Sequence, residues 1–114
     1  MTRLYGLKNC DTVKKARSWL DAQGIAYEFH DFRVDGVNQQ QVSQWLKALG
    51  QQTLINTRGT TWRQLTVAEQ AQAMSDRAVS LLLSQPTLIK RPLLEHNGKV
   101  DVGFSPEQYQ NIFS

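Results

Sequence analysis

Residues 2–32, "TRLYGLKNCDTVKKARSWLDAQGIAYEFHDF", decide how this chain folds. The opening "TRLYGL" reads as a short strand. Val13, Ala16, Trp19, Leu20 and Gln23 then recur at helical spacing and Gly24 follows as a stop, which predicts a helix over 11–23. Beyond it Ile25, Tyr27 and Phe29 alternate with Ala26, Glu28 and His30, the pattern of a half-buried strand. Strand, helix and strand joined this closely form a βαβ unit, so the two strands are parallel and the crossover right-handed. The single cysteine, Cys10, stands at the joint between the first strand and the helix.

The middle of the chain reads as helical. In "NQQQVSQWLKALG" (38–50), Val42, Trp45, Leu46 and Leu49 fall at i, i+3, i+4 and i+7, between Asn38 as N-cap and Gly50 as C-cap. "TVAE" at 66–69 is a capping-box pattern, and "SDRAVSLLLSQP" (75–86) predicts a helix capped by Ser75 and ended by Pro86. Trp45 and Trp62 are expected in the core. In "LLEHNGKVDV" (93–102), Asn97-Gly98 between two extended runs signals a tight hairpin, and "SPEQYQNIF" (105–113) opens a last helix with Ser105 as N-cap and Pro106 at its first position. The order is β-α-β, helices, β-hairpin, α. A parallel pair and an antiparallel pair can share one mixed four-stranded sheet, so the expected fold is α/β and thioredoxin-like, with a helical subdomain inserted at roughly 37–86 of a single domain 1–114.

At 114 residues, 40% hydrophobic and 20% charged, the chain has the balance of one globular domain. "MTRLYGLKN" lacks the apolar core of a secretory signal and no run approaches the roughly 18 apolar residues of a membrane span, so a cytoplasmic protein is expected. A lone cysteine makes no internal disulfide, and with His30 and His96 far apart no metal cluster is expected. The net charge of +3 gives no general nucleic-acid footprint. The basic residues concentrate, however: Arg3, Lys8, Lys14, Lys15 and Arg17 against Asp11 alone in the first 17 residues. Lys14, Lys15 and Arg17 read as a solvated helix face. Nothing in the pattern demands a partner chain, which leaves a monomer as the expectation.

Cys10 is the first candidate for chemistry. Unsatisfied N–H groups and the positive end of the macrodipole stabilise an anion at a helix N-terminus, and such a setting favours thiolate; Lys8, two residues earlier, adds to that field. The competing reading is a small buried hydrophobe. Two arginines in expected loops are further candidates: Arg58 in "NTRGTTWR" (56–63) and Arg91, just before Pro92 in "TLIKRPLL" (87–94). Guanidinium groups bind carboxylates and oxyanions bidentately, although either arginine could instead lie over apolar neighbours at the surface.

A lone N-terminal cysteine at a strand-to-helix turn, a mid-chain loop arginine and an Arg-Pro before a hairpin together resemble the ArsC/Spx family over nearly the whole chain. "YGLKNCDTVKKA" (5–16) is most similar to its YffB-type members. The resemblance implies a thioredoxin fold with a helical insertion, glutathione as reductant, and a cis peptide at Pro92. Position by position, it implies Cys10 as nucleophile, Arg58 and Arg91 as anion-binding residues and Pro92 as the cis-proline. There are departures. Arsenate reductases of this family read His-Asn-Pro-x-Cys-Gly-Thr-Ser; here Gly6, Leu7 and Lys8 lead and Asp11, Thr12 and Val13 follow, so only Thr12 fits. "DVGFSPE" (101–107) also lacks their third arginine. Val13 stands where Spx-like regulators carry the second cysteine of Cys-x-x-Cys, which excludes an internal disulfide switch.

The expectation is a glutathione-dependent thiol reductase. Cys10 attacks a disulfide sulfur, Lys8, Arg58 and Arg91 hold glutathione carboxylates or the oxidised group, and Thr12 steadies the thiolate. The alternative is a non-enzymatic, Spx-like interaction module that binds RNA polymerase. Arsenate reduction is the third reading.

Overall fold

The computed structural model describes all residues, 1–114. In chain order its elements are β1 (Thr2–Gly6), α1 (Asp11–Ala22), β2 (Glu28–Asp31), α2 (Gln39–Leu49), α3 (Gln51–Leu54), α4 (Thr60–Gln64), α5 (Val67–Ala73), α6 (Ala78–Ser84), a 3-10 turn (Pro86–Leu88), β3 (Leu93–His96), β4 (Lys99–Val102) and α7 (Pro106–Ile112). The chain divides into two compact units, one of residues 1–31 with 91–114, the other of residues 32–90.

The first unit is a four-stranded sheet in the order β2-β1-β3-β4. β1 runs parallel to β2 and antiparallel to β3, which pairs antiparallel with β4, so the fold is the expected thioredoxin-like one. Leu4 and Leu94 from the sheet, Ala16 and Leu20 from α1 and Tyr109 from α7 are fully buried together, with Trp19, Tyr27, Phe29, Phe104 and Phe113 packed around them. Burying that apolar stripe holds α1 on the sheet. The helix sits close. A Cβ added to Gly6 would lie 2.6 Å from Val13 Cγ2, so a residue without a side chain lets α1 approach β1. The hairpin turns on Asn97 and Gly98, both left-handed with φ 51° and 80°, as a two-residue turn with matching twist requires.

Two expectations change here. β2 begins at Glu28 rather than Ile25: the parallel ladder starts at the pair Arg3–Glu28, and residues 25–27 lie before it. Ile25 and Tyr27 still alternate as half-buried against exposed Ala26. Arg17 is no member of a solvated face: its Nε donates to Tyr27 Oη at 3.2 Å and its guanidinium lies 4.2 Å from the centre of the Phe29 ring. Lys14 and Lys15 are exposed.

The second unit is helical. Asn38 and Gln41 close a capping box on α2, whose Val42 and Trp45 are fully buried, and Thr66 with Glu69 closes another on α5. Ser75 is not a helix cap. Its hydroxyl donates to the Gln72 carbonyl at 2.7 Å and accepts from Arg77 N–H at 3.1 Å, so it holds the turn after α5 and α6 starts only at Ala78. Such local bonding is the usual competitor of helix initiation. Trp62 is half-buried rather than in the core. No helix is long and apolar enough to cross a membrane.

Candidate active site

The end of β1 organises the site. Gly6 pairs with Asp31 on one side, and on the other the ladder ends at Tyr5 and Leu93, the residue after Pro92. From there Leu7, Lys8 and Asn9 lead to Cys10, the N-cap residue of α1, with φ −80° and ψ 125°. Its N–H donates to the Leu7 carbonyl at 3.1 Å, closing a turn, and its carbonyl accepts from Lys14 N–H at 2.9 Å as the first bond of the helix. No side-chain hydrogen bond caps α1. The thiol is half-buried and in no disulfide, at the end of a helix of 12 residues whose first N–H groups have no partner within the helix. Asp11 in the first turn is the nearest acidic residue in sequence.

The loop before the thiol is tied to the sheet. Lys8 N–H donates to Asp31 Oδ2 at 3.0 Å. The Lys8 and Thr12 side chains are exposed on either side of Cys10 in the chain. The Arg91–Pro92 peptide is cis. Pro92 is buried, and its carbonyl accepts from the N–H of Gly103, whose φ of 82° suits glycine; Arg91 is half-buried. Lys8, Cys10, Thr12, Arg91 and Pro92 thus belong to one end of one sheet.

Arg58 belongs to the other unit. It is exposed in the turn before α4, its N–H bonded to Asn56 Oδ1 at 3.0 Å and its carbonyl accepting from Arg63 Nη2 at 3.0 Å. The sequence reading passed over Asp31, Gly6 and Gly103. Asp31 carried one usable signal, its position at the end of a predicted strand parallel to the one that delivers the thiol. Further along the sheet, Tyr5 Oη donates to Glu95 Oε1 at 2.7 Å and its ring meets that of His30 at 4.8 Å. Burial and the Glu95 carboxylate push the Tyr5 phenol up to about 12. No group of three or more His, Cys, Asp or Glu is arranged to hold a metal ion.

Residues 5–112 match the ArsC family. The chain belongs to that family. It is 44% identical to an uncharacterised protein of Haemophilus influenzae over the full length of both chains. A solved YffB protein shares 43% identity with it at a TM-score of 0.93, again over all of both chains. A solution structure of an arsenate reductase related protein from Brucella melitensis shares 42% identity at a TM-score of 0.77, covering 99% of this chain and 94% of its own. Among regulators, the global transcriptional regulator Spx of Streptococcus agalactiae is 24% identical over 95% of this chain and 80% of its own. This is an arsenate-reductase-like, thioredoxin-fold family that also holds Spx regulators.

Proposed function

We propose that this ArsC-family chain is a glutathione-dependent thiol reductase whose nucleophile is Cys10. The observation that carries the reading is the position of the one thiol: N-cap of the 12-residue helix α1, half-buried, with no side chain competing for the first-turn N–H groups. The thiolate is the attacking species in thiol–disulfide exchange, and unpaired N–H groups at a helix N-terminus are donors suited to an anion.

With one cysteine the cycle is a monothiol one. The Cys10 thiolate attacks the glutathionyl sulfur of a mixed disulfide, the S–S bond to the substrate breaks, and the substrate leaves as thiolate. A second glutathione thiolate then attacks glutathione's sulfur on Cys10, and Cys10 leaves as thiolate while glutathione disulfide forms. Two electrons pass from glutathione to the substrate. Glutathione brings two carboxylates, and Lys8, by its place two residues before Cys10, and Arg91, on the family correspondence, are the residues of this unit assigned to them. For Arg58, in the helical unit, the family correspondence alone supports an anion-binding role. Thr12, in the first turn, offers a hydroxyl to the thiolate, and Pro92 shapes the wall beside it. The enzyme works as a cytoplasmic monomer, where the glutathione pool is reducing.

The test is the rate of Cys10 alkylation by iodoacetamide at pH 7, with and without glutathionylated substrate, together with reduction of a glutathione–mercaptoethanol mixed disulfide. Alkylation well above the rate of a free thiol, and turnover lost in Cys10→Ser, are expected. A rate no higher than that of a free thiol sinks the reading.

The Spx relative supports a second reading, a regulatory module that binds RNA polymerase. Under it Cys10→Ser binds polymerase as the parent does and no turnover is measurable in either. Arsenate reduction has less behind it, since Gly6, Leu7 and Lys8 occupy the His-Asn-Pro places.

A further inference from the structure

Three hydrogen bonds fix the backbone that carries the thiol. Lys14 N–H to the Cys10 carbonyl, at 2.9 Å, belongs to α1, and Cys10 N–H to the Leu7 carbonyl, at 3.1 Å, belongs to the turn itself. Each binds the segment to itself. The third is different: Lys8 N–H to Asp31 Oδ2, at 3.0 Å, joins the loop to a neighbouring strand across 23 residues of sequence. Asp31 can serve as an anchor because its own backbone is held, in register opposite Gly6 at the end of the parallel ladder. A carboxylate accepting from a backbone N–H makes a charge-assisted bond, stronger than one to a neutral acceptor.

The Asp31 carboxylate meets the loop at Lys8, two residues before Cys10. Lys8 presents its backbone to that charge and leaves its own side chain exposed. We propose that Asp31 is the positioning residue of the active-site loop: by holding Lys8 N–H it fixes the path from Gly6 to Cys10 and so the approach of the Cys10 sulfur to the disulfide. The inference rests on the reading of Cys10 as nucleophile. Asp31 touches no reacting atom and acts through the loop.

Asparagine separates this role from charge alone, because Asp31→Asn keeps an oxygen that can accept from Lys8 N–H while Asp31→Ala keeps none. Exchange of Cys10 with a glutathione–mercaptoethanol mixed disulfide is timed in the parent and both variants, well below each thermal midpoint. Hydrogen exchange of the Lys8 amide is followed by NMR in the same samples. Asp31→Ala is expected to slow exchange about tenfold, within the hundredfold that a small misplacement of a reacting group can cost. Asp31→Asn is expected to stay within about twofold of the parent, and the Lys8 amide to exchange faster in the alanine variant alone. Should Asp31→Ala fail to fold, Asp31→Ser, whose hydroxyl is one bond too short to take the same position, replaces it.

An alanine variant as fast as the parent, an asparagine variant as slow as alanine, or an unchanged Lys8 amide overturns the proposal. If the parent itself exchanges no faster than Cys10→Ser, it is the reductase reading that fails. The anchor then stands or falls on the Lys8 amide alone.

Discussion

Tyr109 shows how much a single polar atom matters in this core. Its side chain is fully buried and its hydroxyl has no hydrogen-bond partner, while the ring packs edge-on against Phe104 at 4.7 Å and Trp19 at 5.7 Å. A buried hydroxyl without a partner costs about 1–3 kcal/mol, and the ring contacts survive its removal. Tyr109→Phe is therefore expected to stabilise the protein by about 1 kcal/mol, raising the thermal midpoint by about 4 °C. A fall in the midpoint by calorimetry would show that the hydroxyl is satisfied in solution. At this scale the sequence was informative about Cys10 and silent about Asp31. A thiol at the start of a helix is a local pattern, visible in "KNCDTVKKA" (8–16). The bond from Lys8 to Asp31 exists only once β1 and β2 are in register, and no local pattern encodes that.

Between elements, the contact of β1 with α1 depends on Gly6. Adding a methyl group there drives it to 2.6 Å from Val13 Cγ2, and Val13 is itself fully buried, so neither side has room to yield. Gly6→Ala is expected to destabilise by about 1–3 kcal/mol, the range for overpacking. Val13→Ala alone empties part of the core and destabilises too. In the double variant the new methyl enters the space that Val13 vacates, so its urea-unfolding free energy should exceed the additive expectation by about 1 kcal/mol. Strict additivity would mean that the helix simply moves away. Element boundaries were legible wherever capping is local, at Asn38, Thr66 and Ser105, each of which accepts the predicted backbone N–H. They were not legible at Ser75, where bonds to Gln72 and Arg77 form a turn instead; inside α1 the surroundings of Arg17 were equally hidden, because its partners Tyr27 and Phe29 lie beyond the helix in the chain. The short α3 and α4 escaped for want of length, since four- and five-residue helices carry no full period of hydrophobic repeat.

For the molecule as a whole, a mixed sheet of one parallel and one antiparallel pair was legible in chain order and hairpin chemistry, the order β2-β1-β3-β4 came only with the structure, and what tertiary burial adds is a dependence on pH. The Tyr5 phenol is pushed up to about 12 by burial first and then by its bond and charge contact with Glu95, and burial with the charge of Asp101 raises the Tyr109 phenol further. An unfolded tyrosine ionises near 10. Above that pH the unfolded chain gives up protons that the folded chain retains, so ionisation favours unfolding. The stabilisation from the neutral phenols is complete below about pH 10 and is lost as pH rises through the folded values. Urea midpoints at pH 9 and pH 11.5 test this, the change in the parent being compared with the change in Tyr5→Phe so that lysine titration, common to both, cancels. The parent should lose stability between the two pH values, and Tyr5→Phe should lose less, because its position 5 no longer has a proton to release. Tyr5→Phe also takes away the hydroxyl that Glu95 accepts from, so it is expected to begin from a lower midpoint at pH 9. Two lines that fall in parallel would show that Tyr5 titrates alike in the folded and unfolded chains; lines that converge toward high pH would place its proton in the folded sheet.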